Sequence, residues 1–188
     1  KAYFKFQEVK KVSEAIDMRK ATLNDLDTVM EIVENARALL KADGSEQWQG
    51  EDGYPTRLTF QMDIEGGCCW LLMYGNEIVG TATLMTQGDA HYMHIVNGQW
   101  NRPGHPFATI HRVAISGKYR GKHFANYIMS HMITLAYDAG VRNFRIATHD
   151  KNDRVHNLVQ NFGFVKRGQV YTGPTDRDLR NVYELNLD

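Results

Sequence analysis

The sequence has few cysteines and no excess of charge of either sign. Its 188 residues include only two cysteines, Cys68 and Cys69, and its 22 Lys and Arg are balanced by 22 Asp and Glu. Adjacent cysteines are poorly placed to bond to each other, and both lie in the apolar run GCCWLLMY, so we expect buried thiols in a reducing compartment. The zero net charge argues against a general nucleic-acid binder, which usually carries a basic excess.

The sequence also shows no long apolar run, no signal-peptide pattern and no repeat. No run approaches the ~18 apolar residues of a membrane span, and the opening KAYFKFQEVKK has no signal-peptide core. There is no internal repeat and no low-complexity segment. We therefore expect a cytoplasmic protein that has neither a membrane nor a nucleic acid as its partner.

The chain is long enough for one domain with a full hydrophobic core. The MRKAT at Met18 looks like a natural start of the fold, so residues 1–17 are interpreted as an N-terminal extension or a cloning remnant. Residues 18–188 are interpreted as a single domain. Hydrophobic periodicity and turn residues predict the order β-α-α-β-β-β-α-β-α-β-β, which indicates an α/β chain with a mixed sheet covered by helices.

The most informative stretch is FATIHRVAISGKYRGKHFA, residues 107–125. An apolar, β-branched strand leads into the basic turn at 118–122, and a helix with a 3.6-residue period follows. Free backbone N–H groups and the helix dipole make such a helix start an anion site. We expect the anion to be the pyrophosphate of a cofactor, although the turn taken alone is more typical of a solvated surface.

Three segments together resemble the GNAT superfamily of acetyl-coenzyme A-dependent N-acetyltransferases, over roughly residues 18–188. VAISGKYRGKHFA is similar to the family's V-A-V-x-x-x-Y-R-G-x-G-x-A/G, and THDKNDRVHNLVQNFGF is similar to its N-x-x-A-x-x-L-Y-x-x-x-G-F. The closing RNVYELNL is typical of its final strand. The resemblance implies the GNAT fold, a mixed and mostly antiparallel sheet of about seven strands with about four helices, splayed at the fourth and fifth strands.

The resemblance also implies acetyl-CoA as co-substrate and no metal. The pyrophosphate would bind at the basic turn and helix start, and the pantetheine arm would enter the gap between the preceding strand and the strand 141–148. A backbone N–H there would polarise the thioester carbonyl. The implied cofactor residues are Val113, Ala114, Ile115, Arg120, Gly121, Lys122, His123, Phe124, Ala125 and, near the pantetheine, Asn152.

Two positions depart from the family pattern. His123 stands where the family has a central glycine, which permits close approach to phosphate or a positive φ. A histidine can serve there if φ is negative, and its ring N–H could itself bond phosphate. Val159 stands where many members have a tyrosine that acts as general acid on the coenzyme sulfur. Valine cannot donate a proton, so another group or water would do so, or the thiolate would leave unaided.

His111 is the candidate catalytic residue. An acceptor amine is mostly protonated at pH 7 and only its neutral form attacks a thioester, so a general base is expected. His111 precedes Val113 by two residues, which predicts the same face of the sheet, and a resemblance within the superfamily implies an imidazole at this position. The alternative is a histidine packed under the helices and satisfied by a backbone carbonyl.

Other histidines are weaker candidates. His149 ends the next predicted strand and either faces the cleft or caps a loop. His91 and His94 have a spacing that suits a metal on a helix, but their flanks do not predict a helix and no Cys or carboxylate cluster completes a site, so no metal is expected.

Aromatic residues occur in the two segments that cover the acceptor side in this family. They suit an apolar or cationic acceptor as well as they suit loop packing. They are Trp48, Tyr54, Tyr92 and Trp100. Asp89 or Glu51 could pair with an incoming ammonium, and the pattern favours neither.

We therefore predict an acetyltransferase that moves the acetyl group of acetyl-CoA to a primary amine by direct attack in a ternary complex. Neither cysteine has the polar neighbours of an activated nucleophile, so no acetyl-enzyme is expected. Two alternatives stay open: an acyl-CoA-binding module with weak or no catalysis, and a protein N-terminal acetyltransferase. The sequence does not choose between a small-molecule amine and a peptide acceptor, and it leaves a homodimer open.

Overall fold

One mixed sheet organises the chain, of which the computed structural model describes residues 14–188. Eight strands form it: β1 Ile16–Lys20, β2 Cys69–Tyr74, β3 Glu77–Met85, β4 Ile95–Val96, β5 Ala108–Ile115, β6 Asn143–Thr148, β7 Val165–Tyr171 and β8 Leu179–Asn186. Their order in space is β1-β2-β3-β5-β6-β8-β7-β4. Only β5 and β6 run parallel, and the other neighbouring pairs are antiparallel.

The predicted alternation of helices and strands is confirmed, with one strand more than expected. The additional strand is β4, two residues long, which pairs with β7 inside the segment 88–106 that was expected to be irregular. A strand this short has no alternating pattern in the sequence. β1 starts at Ile16, two residues before the predicted boundary at Met18, and the prediction for residues 1–13 lies outside the described residues.

Four helices cover the two faces of the sheet. They are α1 Leu26–Ala42, α2 Arg57–Glu65, α3 Phe124–Asp138 and α4 Asp153–Asn161. α1 and α2 pack on one face around the buried Val29, Val33 and Phe60. α3 and α4 pack on the other face, where the apolar stripe of α3, including Ile128, joins the largest core cluster. None of the helices between residues 14 and 188 is long and apolar enough to cross a membrane.

The strands β5 and β6 separate soon after they meet. They pair only at Ala108 with Phe144 and at Thr109 with Arg145. Beyond these two pairs the facing edges of both strands have no strand partner. The predicted splay is therefore confirmed, because β5 and β6 are the fourth and fifth of the strands expected from the sequence.

A buried ionic cluster fixes the loop that leads into β5. The Glu184 carboxylate, fully buried, accepts a 2.7 Å hydrogen bond from the Asn101 backbone N–H. Arg145 and Arg167 lie 3.5 and 3.3 Å from it. The guanidinium of Arg145 also lies 4.1 Å from the Trp100 ring centroid. One carboxylate thus neutralises two arginines and holds the loop against β6, β7 and β8.

Replacing this carboxylate should destabilise the whole domain. Glu184→Gln keeps the shape but leaves two arginine charges uncompensated, which typically costs about 3–5 kcal/mol for a buried pair. Urea unfolding measures the loss. Glu34→Gln is the control, because Glu34 is an exposed partner of Arg37 and such pairs contribute about 0–1 kcal/mol. Equal losses in the two variants would contradict the role given to Glu184.

Candidate functional site

A cavity of ≈ 1500 Å³ opens where β5 and β6 separate. One end, here called the turn end, is lined by residues 119–121 and 123–126 around the start of α3. The other end, here called the loop end, is lined by parts of the segments 46–54, 88–92 and 172–180. Residues of β5 and β6 around the gap line the same cavity.

The structure brings nine of the ten predicted cofactor residues to this cavity. They are Val113, Ala114, Ile115, Arg120, Gly121, His123, Phe124, Ala125 and Asn152. Lys122 is not among the lining residues. Its ammonium lies 5.2 Å from the ring centroid of Tyr74 and 5.9 Å from that of Tyr119, so its side chain packs on aromatic surface beside the turn.

His123 adopts a left-handed conformation, with φ +57° and ψ +25°. The negative φ named above as the condition for a histidine at this position is therefore not met. The backbone has the conformation that glycine adopts most readily, and histidine occupies it with strain of about 1–2 kcal/mol. As the N-cap of α3, His123 makes no side-chain capping hydrogen bond, so the first N–H groups of α3 are left for solvent or a ligand.

Two arginines line the cavity at the turn end, one paired with a carboxylate and one not. Arg154 Nε donates a 2.8 Å hydrogen bond to Asp43 Oδ2. That hydrogen bond lowers the pKa of Asp43, and the charge of Arg120 lowers it further. Within residues 14–188, no carboxylate lies within 4 Å of Arg120 itself. Arg120 thus offers its charge to the cavity.

The passage between the two ends is apolar. Ile110, Ala114, Met129, Ile146 and Val159 line it. Val159 has no exposed surface and belongs to the main core cluster. The position of the family's tyrosine is therefore filled here by a core side chain.

Asn152 is tied to a residue that the sequence reasoning missed. Its Oδ1 accepts from Val155 N–H at the start of α4, and its Nδ2 donates a 2.9 Å hydrogen bond to Gln47 Oε1. The same Gln47 oxygen accepts from Thr148 Oγ1 and from the His149 N–H. Gln47 thereby fixes the α1–α2 loop across the end of β6, a contact between segments about a hundred residues apart that no local pattern announces.

A β-bulge changes the face on which His111 lies. Thr81 and Thr83 of β3, two residues apart, pair with Ala114 and His111 of β5, which are three residues apart. The extra residue is accommodated beside Arg112, whose φ is +52°. His111 therefore shares a face with Ala114, and the expectation that it shares one with Val113 is wrong.

His111 nevertheless lines the cavity and faces a carboxylate. Its Nε2 lies 3.2 Å from Asp89 Oδ2, and both side chains are largely buried. Asp89 Oδ1 also accepts from the N–H and from Nδ1 of His91. Burial opposes ionisation of Asp89, but the close imidazole of His111 and the hydrogen bonds from His91 outweigh it and hold the pKa of Asp89 well below its usual range.

His111 and Asp89 lie in ion-pair contact. Nε2 faces Asp89 Oδ2 at 3.2 Å, but this contact does not have the geometry of a hydrogen bond. Nδ1 makes no hydrogen bond to any residue between 14 and 188. Of Asp89 and Glu51, between which the sequence did not choose, the structure pairs Asp89 with the imidazole.

Arg112 positions an exposed tyrosine at the loop end. Its guanidinium binds Asp63 of α2 through two 2.8 Å hydrogen bonds, and it donates a third, also 2.8 Å, to Tyr54 Oη. Thr83 Oγ1 donates to the same carboxylate. Tyr54 is 40% exposed. Its hydroxyl is bound to Arg112, and its ring lines the cavity. The sequence reasoning missed Arg112 and Asp63, because only the bulge directs Arg112 toward α2.

Of the other aromatic and histidine candidates, some line the cavity and others belong to the hydrophobic core. Trp48 and Tyr92 line the loop end, although Tyr92 is almost fully buried. Trp100 belongs to the core beneath it. His149 does not line the cavity; its Nδ1 accepts from the Lys151 N–H, and burial lowers its pKa.

Neither a metal cluster nor an activated thiol is present in the described part of the chain. No group of three or more His, Cys, Asp or Glu side chains between residues 14 and 188 is arranged to hold a metal ion. Burial raises the pKa of the Cys69 thiol to about 11, so it is protonated at neutral pH and unsuited to nucleophilic attack.

Comparisons with known proteins agree with this geometry. The model of the acetyltransferase (GNAT) family matches residues 33–164. A GNAT acetyltransferase structure from Streptococcus agalactiae is 30% identical, with a TM-score of 0.79 over 92% of this chain and 96% of its own. PaiA N-acetyltransferase from Thermoplasma acidophilum, solved in complex with coenzyme A, is 16% identical, with a TM-score of 0.65 over 92% of this chain and 99% of its own. No curated protein matches this chain.

The left-handed backbone at His123 predicts which of two substitutions at this position gives the more stable protein. At an ordinary helix N-cap with extended backbone, serine is at least as good as glycine. At φ +57° we expect His123→Gly to exceed His123→Ser by about 1–2 kcal/mol, since only glycine avoids the steric cost of this conformation. Urea unfolding of the two variants measures the difference. A more stable serine variant would contradict the conformation.

Proposed function

Because the chain belongs to the acetyltransferase (GNAT) family, we propose that it transfers the acetyl group of acetyl-CoA to a primary amine by direct attack in a ternary complex. The observation that carries this proposal is the cavity between β5 and β6, with an uncapped helix start at its turn end and the His111–Asp89 pair toward its loop end. The first of these features suits the cofactor, and the second suits the acceptor.

The turn end fits a pyrophosphate. The first N–H groups of α3 have no side-chain cap, and the helix dipole favours an anion there. Arg120 adds a positive charge that no carboxylate between residues 14 and 188 neutralises within 4 Å. Gly121, with φ +78°, and His123 turn the backbone so that it can approach the phosphates closely.

The gap between β5 and β6 fits the pantetheine arm. That arm is an extended amide chain, and the edge of β5 beyond Thr109 has N–H and C=O groups with no strand partner on the β6 side. The apolar lining by Ile110, Ile146 and Val159 suits its hydrocarbon parts and excludes water. Acetyl-CoA would supply a thioester, and a backbone N–H of the β5 edge would polarise its carbonyl.

His111 would act as the general base. An acceptor ammonium that enters from the loop end would give its proton to Nδ1, directly or through one water, and the neutral amine would then attack the thioester carbonyl. Asp89 positions the ring and stabilises the imidazolium that forms, because its carboxylate stays ionised beside Nε2. With Val159 in the core, the coenzyme sulfur would leave as thiolate or take its proton from water.

One observation favours a second function, an acyl-CoA-binding module with weak catalysis. The family's usual proton donor is replaced by Val159, which is fully buried. The two functions differ in a measurable way. A module would bind acetyl-CoA tightly, and its slow transfer would not depend on His111.

The cofactor assignment predicts opposite outcomes for two neighbouring basic residues. Arg120→Glu should weaken acetyl-CoA binding at least about tenfold, because it places a negative charge beside the pyrophosphate. Lys122→Glu is the matched control, since its side chain packs on Tyr74 outside the cavity lining, and it should change the affinity much less. Isothermal calorimetry measures both. Equal effects, or no binding by the parent protein at millimolar acetyl-CoA, would contradict the assignment.

The base assignment predicts a loss of rate that depends on pH. His111→Gln should lower amine acetylation by about 10²–10⁴-fold near pH 7, with little change in acetyl-CoA affinity. The loss should shrink as the pH approaches the amine pKa of about 10, where free amine is abundant. Thiol release with a panel of amines measures the rate.

The control for this experiment is His91→Gln. His91 contacts the same Asp89 carboxylate, but its side chain is about half exposed, so its loss should change the rate far less. A loss in His111→Gln that is equal at every pH would indicate a structural role, and unchanged turnover would favour the binding module.

A further inference from the structure

Arg180 lies at the loop end of the cavity with half of its guanidinium already fixed. It is the second residue of β8, directly after the β7–β8 loop, and it lines the cavity. Its Nη1 donates to the backbone carbonyls of Arg177 and Leu179, at 2.6 and 2.9 Å. These two bonds hold the planar group in one orientation, so little further freedom is lost when it binds a ligand.

The opposite edge of this guanidinium, formed by Nε and Nη2, is free. It makes no hydrogen bond to residues 14–188, and none of their carboxylates lies within 4 Å of it. Neither nitrogen is a fully buried atom. This edge has the same two-donor geometry with which Arg112 holds Asp63 elsewhere in the chain, and it matches a carboxylate.

The nearest acidic side chains do not satisfy Arg180. Asp178 is occupied within the loop, where its Oδ2 accepts from the N–H and Oγ1 of Thr175 at 2.9 and 2.7 Å. Glu46 and Asp150 are exposed. Burial lowers the pKa of Arg180, and the charges of Asp178, Asp150 and Glu46 oppose that effect without forming an ion pair. A half-buried arginine is thus left with an unsatisfied charge that faces the cavity.

We propose that Arg180 binds an acidic group of the acceptor, which makes the acceptor an amino acid or a related amino-carboxylate. The proposal rests on the acetyl transfer proposed above, because it assumes that the acceptor occupies the loop end. Its amine would lie toward His111 and Asp89, and its carboxylate would receive two parallel hydrogen bonds from Nε and Nη2 of Arg180.

Tyr54 lines the same end of the cavity as Asp89 and Arg180 and is compatible with the arrangement. Its hydroxyl accepts from Arg112, and its ring is 40% exposed. It would contact the apolar part of an amino acid side chain.

The experiment compares acceptors that differ only in the carboxylate. Suitable pairs are leucine with isoamylamine and phenylalanine with phenethylamine, together with leucinamide, which keeps the shape without the charge, and a diamine, putrescine. Thiol release gives kcat and KM for each. We expect the amino acids to have kcat/KM at least about tenfold above their decarboxylated amines, an effect the size of one charge-assisted hydrogen bond pair.

Arg180→Gln should remove this preference by raising KM for the amino acids about tenfold or more while leaving the amines nearly unchanged. Arg177→Gln is the matched control, because Arg177 lines the same end and holds Arg180 only through its backbone carbonyl. The proposal would be overturned if the parent protein preferred the simple amines or putrescine. It would also be overturned if Arg180→Gln lowered kcat/KM equally for both members of each pair. Unchanged acetyl-CoA affinity in both variants shows that they remain folded.

A binding measurement separates failure of this proposal from failure of the proposed transfer. With CoA present, calorimetry compares N-acetylleucine with N-acetylisoamylamine on the parent protein and on Arg180→Gln. If no acceptor is turned over but N-acetylleucine binds and depends on Arg180, the acid site stands and the transfer is wrong. If neither compound binds, or both bind equally to the two proteins, the acid site is wrong whatever the turnover.

Discussion

The site depends on the place where two parallel strands stop pairing. β5 and β6 share only two residue pairs before they diverge, and beyond that point each has an edge of unpaired backbone groups. Such groups are costly to bury without a partner, so this region must stay open to solvent or take up a ligand that supplies hydrogen bonds. The buried Glu184–Arg145–Arg167 cluster ties β6, β7 and β8 together on the β6 side of the gap.

A single extra residue in β5 then determines which of its side chains lie on each face of the sheet. Because Arg112 takes a left-handed conformation, the residues before and after it change register against β3. Val113 and Ile115 pack with α3, while His111 is directed to Asp89 and Arg112 to Asp63 of α2. The face that packs on α3 stays apolar, and the opposite face carries the titratable groups. The bulge thus places apolar side chains of β5 toward α3 and its charged side chains toward the opposite face.

The sequence predicted the elements well, because they depend on local patterns. The strand 108–115 and the helix from Phe124 follow from periodicity, and the anion site expected at the basic turn between them stays a prediction. The loop end could not be predicted in the same way. Asp89, Gln47 and Asp63 act through partners far away in the chain, and the face of His111 depends on a bulge that leaves no mark on the alternation. His123 was misjudged for a related reason, since a motif position fixes a backbone conformation more strictly than it fixes a residue type.

The two ends of the cavity present different kinds of polar groups to a ligand, and this difference bears on the roles proposed for them. At the turn end, backbone groups of a helix start lie beside the side chain of Arg120, and in the proposed function they bind the pyrophosphate. At the loop end the polar groups are side chains on three separate segments, namely Tyr54, Asp89 and Arg180. Side chains on loops can be exchanged without disturbing the sheet. In the proposed function, the rigid end therefore suits a constant cofactor, and acceptor selectivity would fall to the end where Arg180 has an unpaired edge.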